Sequence, residues 1–139
     1  MKRTLILAAT SFVLMTSVAP AKEGDHQHDA KVFASVAAGL SALEAAIADA
    51  KAKVAAGNFK ALHETSEDLH SIVGGLKTRA GDVAAEAKER YSFNVDQVRN
   101  LHEQLEAAHE SASKADAERV IKRLEDVTTR LKALTLPKQ

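Results

Sequence analysis

Six histidines carry most of the chemistry this chain can offer: His26, His28, His63, His70, His102 and His109. Four of them form an internal echo. Residues 62–70 run LHETSEDLH and residues 101–109 run LHEQLEAAH. Each copy sets two histidines seven residues apart, with a glutamate three residues before the second. Seven residues is nearly two helical turns, so each pair lies on one face of its helix, about 10 Å apart along the axis. Neutral imidazole suits Zn, Cu(II), Co and Ni. His26 and His28 stand beside Asp25 and Asp29 in a short His/Asp tract, a metal-attracting composition whose ordering on binding costs entropy.

Composition narrows the chemistry further. There is no cysteine, so disulfides, thiolate metal sites, a cysteine nucleophile and covalently attached haem are excluded. The two methionines, Met1 and Met15, both precede the segment that folds, which leaves no thioether for Cu(I) or for a His/Met haem. Bis-histidine haem is formally open, but with aromatics at 4% few rings line a haem pocket, and no haem is expected. No nucleophile stands beside a base, and there is neither a Gly-rich phosphate loop nor an HExxH motif, so the chain does not look like an enzyme. Lys plus Arg balance Asp plus Glu at 19 each, which argues against nucleic acid as a partner.

The first 21 residues look like an export signal rather than structure. Lys2 and Arg3 form a positive start, Leu5–Val18 an apolar stretch, and Ala19-Pro20-Ala21 an A-x-A cleavage site. The apolar stretch is shorter than the roughly 20 residues a bilayer span needs. The expected mature chain begins at Lys22, in the periplasm, with no membrane span after processing. Residues 22–30 are expected to form a flexible tail, and 31–136 the folded domain.

That domain is periodic throughout. Phe33, Val36, Leu40, Leu43, Ile47, Ala50 and Val54 recur at spacings of three and four, as one helical stripe. Gly57 should stop this helix and Asn58 cap the next. The second stripe is Phe59, Leu62, Ser66, Leu69, Val73 and Leu76, with Gly74-Gly75 weakening its end and a turn over 78–82. Ala84, Ala87, Tyr91, Asn94, Val98, Leu101, Leu105 and Ala108 form the third. Ser113 and Asp116 form a capping box before the fourth: Ala117, Val120, Leu124, Val127, Leu131 and Leu134. Four amphipathic helices with short links predict an all-α, antiparallel up-down-up-down four-helix bundle. Its core is narrow and Ala-rich, which leaves oligomerisation open. Ser66 and Asn94 are polar seam positions, either tolerated or setting register.

In this frame all four helical histidines fall at the e position, flanking the core. Antiparallel neighbours meet e against e, or g against g. His63 follows the turn at Gly57 and His109 precedes the turn at 111–113, and both turns lie at one end of the bundle. His63 should therefore match His109 in height, and His70 match His102, to within roughly 5 Å. Whether the e faces meet depends on the hand of the bundle, which the spacing leaves open. Glu67-x-x-His70 and Glu106-x-x-His109 match the Glu-x-x-His spacing of carboxylate di-metal bundles. Both glutamates, however, fall at b, turned towards water. A groove or surface metal site therefore ranks above a buried di-metal one, and the plainest alternative is four solvated histidines. Helix one starts at the opposite end from His63 and His109, so the tail should not share an ion with that pair.

The stretches AAGNFKALHETSEDLHSIV (55–73) and VRNLHEQLEAAHESASKADAERVIKRLEDVTTRLKAL (98–134) resemble a group of small secreted helical proteins found beside heavy-metal efflux systems of the resistance-nodulation-division type in Gram-negative bacteria. The resemblance covers roughly residues 50–134 and the His-bearing N-terminal segment. It rests on the "ALHE" opening of the second helix and the spacing of the last two. It implies a periplasmic place, a link to cobalt, zinc, cadmium or copper tolerance, and an efflux component as partner. His63 sits in the shared "LHE" pattern. The resulting expectation is a periplasmic protein that binds or buffers a divalent transition metal for an efflux system. The competing one is a helical adaptor or chaperone-like bundle whose histidines are incidental.

Overall fold

The computed structural model describes residues 29–135. Four helices follow one another: α1 (Val36–Ala55), α2 (Leu62–Thr78), α3 (Lys88–Glu110) and α4 (Lys114–Thr135). Single 3-10 turns at Phe59–Ala61, Ala80–Asp82 and Ala85–Ala87 fill the links. Each helix packs on the next, and α4 closes onto α1. Contacts between neighbours run in opposite order along the chain. Glu44 pairs with Lys132 and Lys51 with Glu125 across α1 and α4, while His63 meets Glu106 and Lys77 meets Asp96 across α2 and α3. This is the antiparallel up-down-up-down bundle that the four stripes predict.

The helix ends follow from local chemistry. Ser35 caps α1 by accepting from the Ala38 N–H at 3.2 Å, so Phe33 precedes the helix instead of opening its stripe. Gly57, at φ 70°, ends α1 in a Schellman motif. There Asn58 N–H donates to the Lys53 carbonyl and Gly57 N–H to that of Val54. Asn58 makes no side-chain cap, contrary to expectation, because its backbone at φ −89° and ψ 66° is not in the extended conformation from which an N-cap side chain reaches the first turn. The same motif ends α3, with Ala112 rather than glycine in the left-handed position at φ 49°. Ser113 N–H is used there, donating to the Ala108 carbonyl. The expected capping box at α4 is therefore only half formed: Asp116 N–H donates to Ser113 Oγ, and the hydroxyl in turn donates to the Asp116 carboxylate.

The stripes meet in one core, filled by Leu43, Leu62, Leu69, Leu76, Tyr91, Leu101, Leu105, Leu124 and Leu131. The buried face is wider than an a/d seam. Thr65, Ile72, Val95, Ile121 and Thr128 are also buried, because each helix contacts two neighbours rather than one. Ser66 and Asn94 are both buried and satisfied. Ser66 Oγ donates to the His102 carbonyl, while Asn94 donates to the Arg90 carbonyl and accepts from Arg130. Tyr91 donates its hydroxyl to the Leu76 carbonyl at 3.0 Å. Burial, helped by the Asp82 charge, pushes its pKa up to about 12.

Gly74 and Gly75 do not weaken α2, which runs on to Thr78. They make room for the segment entering α1. A Cβ on Gly75 would lie 2.2 Å from the Lys31 carbonyl oxygen and 2.5 Å from the Phe33 ring, and one on Gly74 would lie 2.7 Å from the Ala30 methyl. Lys31 N–H donates to the Ser71 carbonyl, Lys31 Nζ pairs with Asp68, and the Arg79 guanidinium donates to the Phe33 carbonyl through two nitrogens. Residues 30–33 thus form a strap across α2, at the start of the folded domain.

This strap sets the sign of a substitution. In an open helix, Gly→Ala stabilises by about 1 kcal/mol. Gly75→Ala should not, because its methyl meets backbone. We expect unchanged or lower thermal stability and loss of hydrogen-exchange protection at the Lys31 amide. A more stable variant with that amide still protected would contradict the strap packing.

Candidate metal site between helices two and three

Helices α2 and α3 bring their histidines together across one groove. His63 stacks on His109 with ring centroids 5.7 Å apart and planes 30° apart. One heptad along, His70 meets His102 edge to face at 5.2 Å. Both pairs are those that equal height predicts, and the bundle's hand turns the e faces towards each other. The four rings form two pairs along the groove, not one cluster. His26 and His28 lie outside the described residues.

The first pair has a third member. Glu106 Oε1 lies 2.8 Å from His63 Nδ1. His63, Glu106 and His109 each offer a ligand atom, all within 4.8 Å of one another. Glu106 was expected to turn to water from its b position. It does not, because the i,i+4 step from His102 turns only about 40° around the helix, less than a glutamate side chain can span. Glu67, also at b, likewise turns inward along its own helix, with Oε1 3.2 Å from His63 Nε2.

Backbone carbonyls orient two of the rings. His109 Nδ1 lies 2.8 Å from the Phe59 carbonyl oxygen, and His102 Nδ1 lies 3.1 Å from that of Arg99. A carbonyl only accepts, so in each ring Nδ1 carries the proton. In the neutral ring the lone pair is then on Nε2, ready for a metal. His63 differs: both its nitrogens face carboxylates. The hydrogen bond to Glu106 raises its pKa first, then the Glu106 charge; partial desolvation opposes them, and the charges of Glu67 and Glu64 add less. The charged form of His63 is therefore favoured in the folded protein. That contribution to stability is complete below the unfolded-state pKa and is lost as pH rises through the raised folded value.

A metal ion would replace this proton. Zn–N and Zn–O bonds of about 2.0–2.1 Å place tetrahedral ligand atoms about 3.3 Å apart. The three groups must therefore close in by about 1.5 Å, a side-chain adjustment on an exposed groove. His63 must also be neutral to bind, and its hydrogen bond to Glu106 opposes this. A cleft of about 570 Å³ lies at the other end of the bundle, lined by Ser35, Asp82, Val83, Glu86 and Arg90, and includes no histidine. Glu44 and Glu125, on α1 and α4, are engaged in the surface ion pairs with Lys132 and Lys51 and supply no ligand to the groove.

No family model, curated protein or solved structure matches this chain. Among the described residues no helix is long and apolar enough to cross a membrane.

Proposed function

We propose that this is a periplasmic protein that reversibly binds a divalent transition metal, Zn, Cu(II), Co or Ni, and buffers it for a heavy-metal efflux system. The observation that carries the reading is the His63–Glu106–His109 group. Two imidazoles and a carboxylate from facing helices are borderline donors suited to these ions. The His109 tautomer already presents Nε2 as ligand atom. The exposed position fits reversible exchange rather than permanent storage. The A-x-A site after a short apolar stretch supports export, and the efflux link rests on the sequence resemblance. The reading is of a binding protein, not an enzyme.

Calorimetric titration of the chain from Lys22 with ZnCl2 tests it. We expect saturable binding near the micromolar range, and loss of the equivalent held by this group in the double variant His63→Ala/His109→Ala with the circular dichroism spectrum unchanged. Absence of saturable binding would leave the adaptor reading in its place.

A further inference from the structure

The two histidine-bearing segments are copies on antiparallel helices, and antiparallel copies are related by a two-fold axis across the groove. That axis exchanges His63 with His102, Glu67 with Glu106 and His70 with His109. The pairing of the rings obeys it, since exchange turns the His63–His109 pair into the His102–His70 pair, and both are present at similar separations, one stacked and the other edge to face. Applied to the group of His63, Glu106 and His109, the same exchange yields His102, Glu67 and His70.

We propose that the groove holds two divalent-metal sites rather than one, the second built from His70, His102 and Glu67. The proposal rests on the metal-binding reading of the first site and extends it. Three observations support the second site. The rings of His70 and His102 are as close as those of the first pair. The His102 Nδ1 proton is held by the Arg99 carbonyl at 3.1 Å, so His102 presents Nε2, as His109 does in the first site. Glu67 lies one turn before His70 on the same face of α2, at the i,i+3 spacing whose side chains are neighbours.

What separates the two sites is where each glutamate now points. Glu106 crosses the groove to His63, while Glu67 stays on its own helix with Oε1 3.2 Å from His63 Nε2. His63 thus holds both carboxylates. Filling the second site requires Glu67 to swing from His63 towards His70, a rotation of its side chain with no change in the backbone. The two sites lie about 10 Å apart, one heptad along the groove, so they hold separate ions and not a bridged pair.

Stoichiometry decides the matter. Zn titration of the chain from Lys22 should give two equivalents. His70→Ala/His102→Ala should give one, as should His63→Ala/His109→Ala, each remaining equivalent being the other pair's. Glu67→Gln should keep the first equivalent and weaken the second by about tenfold or more, the usual cost of losing a supporting carboxylate at a metal site. His26→Ala/His28→Ala should still take two. A single equivalent in the wild type, lost with His63 and His109 and indifferent to His70 and His102, overturns the second site and leaves the first. One equivalent lost in both helical double variants means one shared ion and also overturns it. So does a second equivalent that disappears with the tail histidines. Two equivalents with Glu67→Gln unchanged would remove Glu67 from the site. No binding at all overturns both readings.

Discussion

Zinc affinity should fall by about a hundredfold or more between pH 7.5 and pH 5.5. A free imidazole, with a pKa of about 6.5, is about nine-tenths neutral at the upper limit and about nine-tenths protonated at the lower. Displacing both protons costs about a factor of ten per ring. His63 steepens this fall. Its pKa is raised, first by the hydrogen bond to Glu106, so its proton begins to compete at a higher pH than that of an ordinary histidine. The groups facing it are Glu64 and Glu67 on its own helix and Glu106 and His109 across the groove, and three of these four are carboxylates. Without metal the sign is reversed. The His63–Glu106 interaction supports the fold at low pH and is lost as pH rises through the raised pKa. Calorimetric Kd values at the two pH values test the first statement, and a flat profile would place any bound ion on carboxylates alone.

Leu105→Ala should cost about 3 kcal/mol of folding stability, within the range of roughly 2–5 kcal/mol seen when a fully buried leucine is truncated. Leu105 is fully buried on α3, immediately before Glu106. A domain this size has only about 5–15 kcal/mol in total, so the variant would lose a large fraction of its stability. Metal should restore much of it. An ion that binds only the folded groove adds about 2.7 kcal/mol at a hundred times its Kd. Urea titrations of Leu105→Ala with and without zinc measure both effects. Equal midpoints in the two conditions would mean that zinc does not distinguish the folded groove from the unfolded chain.

Much of this was legible in the chain itself. Apolar residues at spacings of three and four, with Gly57 after the first stripe and Ser113 before the last, suffice for four helices and their order. A helix buries whatever stripe its sequence makes apolar, and short links leave only antiparallel neighbours. Equal spacing from the turns at one end likewise suffices to match His63 with His109 and His70 with His102 in height. Periodicity misled where a residue's role depended on something remote in sequence. Gly74-Gly75 resembles a weak helix end, yet it accommodates Ala30, Lys31 and Phe33. Asn58 resembles a cap, yet the Schellman turn that closes α1 leaves its backbone outside the extended conformation a cap needs.

The amino-acid sequence by itself determined the helices, the core stripe and the axial registry of the histidines, because these depend on rise and rotation per residue. Tertiary structure alone decided that the e faces of α2 and α3 meet, because the hand of a bundle is set by the packing of four helices together. It also decided that Glu106 reaches across to His63, and that carbonyls at Phe59 and Arg99 hold the Nδ1 protons of His109 and His102. Those contacts join groups on different turns or different helices. Heptad position states which way a Cα–Cβ bond points, but a glutamate has three further rotatable bonds, and its final direction follows the hydrogen-bond partner within its reach.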